Sequence, residues 1–200
     1  LFEQSGGAAS MPMAVRYVAI SVEEHHEALD NIFAQAAAAM RGPEDGEPFP
    51  QSLYKRPDVL HITTLYVAGI SLSEQQRRLL ATSRQLFRAG ALFGCRVTHI
   101  VCARGALAVA VLDKDALHSS GVPFDGVRCP HITLCTRLPW RPKHSNDVLA
   151  AVQPFLQGGV EDVEVGTWHR ALLVGDAILD VFVFRPRSHL LLSNCPLYLH

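Results

Sequence analysis

Two hundred residues, 48% of them hydrophobic, suffice for one domain of ordinary size or two small lobes sharing a core. A net charge of −1 excludes a sequence-independent nucleic-acid binder that gathers phosphates with a basic stripe, but leaves room for a local basic cleft or a small nucleotide end as ligand. Five cysteines, an odd number with no CxxC pair or zinc-ligand spacing, point to reduced thiols in an intracellular protein, in cytoplasm or nucleus. No apolar run approaches the ~20 residues that span a bilayer, so no membrane association is expected. No basic segment followed by an apolar one opens the chain, so no signal peptide is expected either.

Residues 1–14, rich in Ser, Gly and Ala through Ser10, read as a linker, and 15–200 as a single domain. Residues 16–22 alternate and predict a strand; 23–40 predict a helix with Leu29, Ile32, Phe33 and Ala36 on one face, stopped by Gly42-Pro43. Residues 41–58 hold four prolines and two glycines and predict a long loop that carries Tyr54, Lys55 and Arg56 to the rim of a cleft. A strand over 59–67 and a helix over 71–89, with Ser71 or Ser73 as N-cap, come next. Residues 95–103 and 106–112 predict a β-hairpin about Arg104-Gly105. The stretch 113–128 reads as turn-rich, 131–136 as a strand, and 145–156 as a helix capped by Ser145. Strands are expected near 160–168, 171–174 and 178–184, and the apolar, irregular residues 185–200 receive no assignment.

One short motif occurs twice, 70 residues apart: His61-Ile62-Thr63-Thr64 and His131-Ile132-Thr133-Leu134. Each stands in an apolar, β-branched run ahead of a helix. Alternate residues of a strand share a face, so His61 and Thr63 project together, as do His131 and Thr133. Two such strands at one cleft would offer two imidazoles and two hydroxyls to one substrate. Imidazole gives or takes a proton near neutral pH, and a hydroxyl can hydrogen-bond the charge that builds on a phosphate in the transition state. The pattern suits acid–base chemistry on a phosphoester. A single His-x-Thr in a strand is more often a satisfied core residue; the duplication in matching contexts is what turns the reading toward function. Two histidines with no His, Cys or carboxylate beside them make a poor metal set, and none is expected. His25-His26 read as surface residues and His99 as structural. No glycine-rich phosphate loop with a following Lys-Ser/Thr is present.

On these residues the chain resembles the two-histidine (2H) phosphoesterase superfamily, whose signature is a pair of His-x-Thr/Ser-x motifs at about this separation. The wording of residues 130–136 and of the hairpin 97–111 is most similar to the cyclic phosphodiesterase domain of plant- and fungal-type tRNA ligases. The resemblance implies an α+β, bilobal fold, two pseudo-symmetric lobes of antiparallel sheet with outer helices around a central cleft. It implies metal- and cofactor-independent opening of a 2′,3′-cyclic phosphate on an RNA end to leave a 2′-phosphate, in RNA repair or tRNA splicing. His61 and His131 would be the acid–base pair, and Thr63 and Thr133 the phosphate clamps. The chain would be either a C-terminal module of a multidomain ligase, fused to or working with RNA ligase and kinase domains, or an independent protein. Thr64 departs from a motif position that is commonly apolar.

Arg56 and Arg137 lie close enough in sequence to the motifs to reach a phosphate, and Tyr66, Trp140 and Trp168 are candidate base platforms, with solvation and core packing as the competing roles. Two other functions fit the same motifs: hydrolysis of 2′,5′-linked oligoadenylates, and a non-catalytic nucleotide- or RNA-binding module. A third reading makes both motifs buried strands of an unrelated α+β protein.

Overall fold

The computed structural model describes residues 15–40, 53–67, 71–125, 129–156 and 165–200. Strand β1 (Tyr17–Ser21) leads through a 3-10 turn into helix α1 (His26–Ala39), whose Leu29, Ile32 and Ala36 are buried at the helical spacing expected of them. Strand β2 (His61–Tyr66) carries the first motif. Helix α2 (Glu74–Arg88) begins at Ser73, whose side chain accepts from the Gln76 N–H while the Gln76 side chain accepts in return, a full capping box. Strands β3 (Leu92–Ala103) and β4 (Leu107–Leu112) form the expected hairpin, with Gly105 at φ 76° in its turn. After β4 come helix α3 (Lys114–Ser119), strand β5 (His131–Thr136) with the second motif, and helix α4 (Ser145–Val152). Strands β6 (Val165–Val174), β7 (Ala177–Arg185) and β8 (Leu190–Leu199) close the order.

All eight strands join one antiparallel sheet in the order β4-β5-β2-β1-β8-β3-β7-β6, and β4 also pairs with β3. That extra pairing closes β3, β4, β5, β2, β1 and β8 into a six-stranded barrel, with β7 and β6 continuing from β3. The twelve residues of β3 make this possible: its first half pairs with β8, its second half with both β4 and β7. The fold is α+β on an antiparallel sheet, as expected, but the topology does not resolve the pseudo-symmetric division into two lobes.

Every residue of β4 is buried, because its two faces serve two clusters. Ala108, Ala110 and Leu112 face the larger one with Ile20, Ile62, Ile132 and Leu29. Leu107, Val109 and Val111 face a second, with Val148, Leu149 and Val152 of α4 and Val181 and Val183 of β7.

Four elements differ from expectation. Residues 190–199, left unassigned, form β8, a staple between β1 and β3. Asn194 stands at φ 58°, the β3–β8 register shifts near it, and Pro196 sits where pairing passes from β3 to β1, at Leu197; these interruptions hide the alternation. Within the turn-rich stretch, Asp113 caps α3 by accepting from the Ala116 N–H at 2.9 Å; six residues are too short to show periodicity. Residues 160–164 lie outside the described residues; from Val165 on, the two strands expected at 160–168 and 171–174 are one, β6, irregular between His169 and Leu172. Ser145 is the first residue of α4 rather than its cap, a 3-10 turn (Pro142–His144) having already started the helix. The linker at 1–14, the Gly42-Pro43 stop and part of the 41–58 loop lie outside the described residues. Within that loop, Lys55 bridges to Thr136 and the Tyr54 hydroxyl accepts the Gly105 N–H at 3.0 Å.

Ile132 is fully buried at the β2–β5 seam. Ile132→Ala should cost about 2–5 kcal/mol in urea unfolding through lost burial and an unfilled cavity. A loss below about 1 kcal/mol would mean that the seam is not part of the packed interior.

Candidate active site

Strands β2 and β5 are antiparallel neighbours with Ile62 opposite Ile132. That register alone sets the geometry. Counted one step along each antiparallel strand from that pair, His61 falls opposite Thr133 and Thr63 opposite His131. Both isoleucines point into the core, so the four polar side chains share the other face. All four line one cavity of about 860 Å³.

The motifs share a second feature. The β1–β2 register steps from Val18–Leu65 to Ala19–Thr63, leaving Thr64 as an extra residue. The β4–β5 register steps from Ala108–Cys135 to Val109–Thr133, leaving Leu134 extra. A bulge therefore follows each His-x-Thr, and consecutive pairs, Thr64-Leu65 and Leu134-Cys135, are buried. In β2 the bulge has a consequence. Strict alternation would turn Tyr66 inward with Ile62 and Thr64; after the bulge it lines the cavity, 45% exposed. Thr64, the departure from the motif pattern, donates its hydroxyl to the Val18 carbonyl at 3.3 Å and so satisfies itself inside the core.

The histidines are held alike. His61 Nδ1 lies 3.1 Å from the Val59 carbonyl and His131 Nδ1 lies 2.9 Å from the Cys129 carbonyl, each two residues back along the chain. A carbonyl only accepts, so Nδ1 carries the proton, and in the neutral ring Nε2 is the basic nitrogen. His61 is further packed by aromatic rings: Tyr17 stacks on it at 5.4 Å, Tyr198 meets it edge-on at 6.1 Å, and His200 in turn stacks on Tyr17 at 4.6 Å. Burial pushes the His61 pKa below the ordinary 6.5, against the upward pull of the bond to Val59; the neighbouring His200 charge lowers it further and the Glu23 carboxylate opposes. Glu23 also accepts the Leu60 N–H, tying down the backbone just before His61.

The threonines differ. Thr133 is half-buried, with Oγ1 3.0 Å from the hydroxyl of the fully buried Ser145. Thr63 stands exposed in the cavity wall.

Among the other residues singled out in the sequence, Arg56 pairs with Asp30 of α1 at 2.8 Å and is not in the cavity wall. Arg137 is exposed on the far end of β5, its N–H donating to Ala106, and is not in the wall either. Trp140 packs on the second core cluster and meets His144 edge-on at 5.4 Å. Trp168 stacks under the Arg104 guanidinium at 4.7 Å and against Phe182. Sequence reasoning missed Tyr17, Gln76, Phe124, Lys143 and Asn146 of the wall. Lys143 is the wall's one Lys or Arg among the described residues, delivered by the turn before α4. A lysine in a short Pro-rich connection carries no pattern that separates it from a solvated one; Tyr17, two residues before the buried Ala19, reads simply as strand. His99, expected to be structural, is 9% exposed and its pKa falls to about 4, chiefly through burial. All five cysteines are free thiols. Among the described residues no three His, Cys, Asp or Glu side chains form a set that could hold a metal ion, and no helix is long and apolar enough to cross a membrane.

No protein-family model matches the chain, and no curated protein matches it. Among solved structures, the fold is similar to the crystal structure of a fungal RNA kinase, with a TM-score of 0.60 and 18% identity over 96% of this chain. The chain spans 46% of that protein's length.

Because its folded-state pKa lies below 6.5, His61 is neutral at pH 7, and the unfolded chain binds its proton first on acidification. Stability should therefore fall as pH drops through 6.5 towards the folded value, the unfolded state holding more protons in that window. Ring NMR should show His61 titrating below 6.5, and Tyr17→Ala, which opens the ring to water, should move it upward. A midpoint at or above 6.5 in the unmodified protein would refute the packing described.

Proposed function

We propose that the chain is a 2H phosphoesterase that opens 2′,3′-cyclic phosphates on RNA ends, leaving a 2′-phosphate. The observation that carries this reading is the Ile62–Ile132 register, which sets two His-x-Thr pairs crosswise on one cavity face with both Nδ1 protons held by carbonyls. The fold's similarity to a protein described as an RNA kinase favours RNA as the substrate class. The matching bulges and matching carbonyl bonds are what two pseudo-equivalent halves would have at their centre. The spans of the fold comparison suit a module working within, or beside, a larger RNA ligase or kinase polypeptide.

Chemically, one neutral histidine takes a proton at Nε2 from water as the water oxygen bonds to phosphorus. The P–O3′ bond breaks, and the other histidine, as imidazolium, gives its Nε2 proton to the departing O3′. The carbonyl at each Nδ1 holds the ring's orientation and favours its charged form, so either ring can serve before or after transfer. Thr63 and Thr133 hydrogen-bond the nonbridging oxygens as charge builds, and Lys143 adds positive charge from the wall. Tyr66, turned outward by the bulge, offers a face for a base. The protein's own groups supply the acid, the base and the oxygen donors, so neither metal nor cofactor has a role.

A short RNA ending in a 2′,3′-cyclic phosphate should be hydrolysed to a 2′-phosphate in the presence of EDTA. His61→Ala and His131→Ala should each lose about 10²–10⁴-fold in kcat. Thr63→Val and Thr133→Val should lose up to about 10²–10³-fold. Lys143→Ala should cause a smaller loss that shrinks with added salt. Turnover of 2′,5′-linked oligoadenylate instead, or tight binding of the cyclic end without turnover, would replace this reading with one of the two others the motifs allow.

A further inference from the structure

Ser145 is a serine at the start of a helix, where its hydroxyl would ordinarily cap the free N–H groups. Here the cap position is His144, and Ser145 makes no capping bond. Its side chain is instead fully buried and directed at Thr133, Oγ to Oγ1 at 3.0 Å. A buried hydroxyl is costly unless it is hydrogen-bonded, and this one finds its partner on a motif residue rather than on its own helix. Departure from a local rule is expected where function competes with it. The helix behind Ser145 is anchored by Val148, Leu149 and Val152 in the second core cluster, so the hydroxyl is held on a rigid element.

We propose that Ser145 is a positioning residue for Thr133: it fixes the Thr133 hydroxyl in the orientation that meets a phosphate oxygen. The inference rests on the phosphodiester reading of the site. Either hydroxyl can donate across this contact; when Ser145 donates to Thr133 Oγ1, the Thr133 hydrogen is left for a phosphate oxygen in the cavity. Thr63 has no such partner among the described residues, so the two hydroxyls are unequal despite their matching motifs. Thr133 enters the reaction already oriented, whereas Thr63 must be ordered by the substrate. Preorganised donors are more effective in the transition state than donors that must reorient.

The test is a double-mutant cycle on the full chain, with hydrolysis of adenosine 2′,3′-cyclic phosphate as readout. Ser145→Ala should lower kcat about three- to tenfold with little change in KM, the size of one hydrogen bond's net contribution. Combined with Thr133→Val it should cause no further loss, whereas combined with Thr63→Val the losses should multiply. Val148→Ala loosens the same helix without touching the hydroxyl pair; it should lower Tm and leave kcat unchanged. Multiplying losses for Ser145→Ala with Thr133→Val, or an equal fall in kcat from Val148→Ala, would overturn the proposal. If Ser145→Ala does not fold, Ser145→Cys, which fills the same space but is a weak hydrogen-bond donor, replaces it: unchanged kcat would overturn the proposal and a three- to tenfold fall, not added to by Thr133→Val, would support it. If the unmodified protein shows no turnover, the phosphodiester reading fails on its own account. The cycle is then read in the affinity for adenosine 2′-monophosphate, where coupling of threefold or more supports the orientation of Thr133 by Ser145. Additive effects, or no binding, overturn it.

Discussion

The pairing of Ile62 with Ile132 is the constraint from which the site follows. Both side chains are buried without exposure, one on each motif strand, and each is worth about 1.5–3 kcal/mol of transfer free energy. A slip of one residue would turn them to the cavity and drive a histidine and a threonine into the core. The apolar face thus fixes the polar one. Barrel closure through the β3–β4 pairing reinforces this: β5 is held by β4 on one side and β2 on the other, so neither motif strand is an edge that can drift. The polar quartet costs the fold little, because the residues that define the register are ordinary core residues.

Around this centre the two motifs are alike in backbone and different in surroundings. The bulge after each threonine and the carbonyl two residues before each histidine are common to both. The neighbours are not. His61 packs against Tyr17, which also carries His200, and this partial burial lowers its pKa. Thr133, across the seam from His61, has Ser145 behind it. One cross-strand pair of the quartet is therefore supported by packing and a buried hydroxyl, while Thr63, in the other, stands exposed. Near-identical motifs thus become unequal through what packs against them.

Much of this was legible in the chain. The period-2 pattern and β-branched residues of both motif strands, the helical spacing of Leu29, Ile32 and Ala36, and the Arg104-Gly105 turn all follow local rules that tertiary structure left standing. What was hidden had specific physical reasons. β8 combines Asn194 in a left-handed conformation with Pro196 at a change of partner, two features that usually mark the absence of a strand. The bulges are invisible because a sequence shows alternation but not the partner strand against which an extra residue is counted; Tyr66 was singled out by its chemistry, yet its outward direction depends on a register no motif encodes. Arg56 and Arg137 were near in sequence, but Arg56 is drawn to Asp30 on α1, and Arg137 lies beyond the end of β5. Lys143, ten residues beyond Thr133, is brought to the cavity by the turn into α4.

The charge of the whole chain and the charge of the site lead to one conclusion. A net charge of −1 gives no long-range attraction for a polyanion, so affinity for the proposed ligand would have to come from a few groups at short range. The wall offers one lysine, and two acidic side chains, Asp125 and Asp147, lie in the same wall. Such a wall would repel an extended phosphate backbone while tolerating one phosphate held by hydroxyls and imidazoles. Neutral donors also lose less to solvation than a cluster of cations would, and they strengthen as water leaves the cavity. On the function proposed above, that balance suits a nucleic-acid end better than its interior: an end would bring one phosphate to the quartet, and the rest of the strand would not need to be gripped.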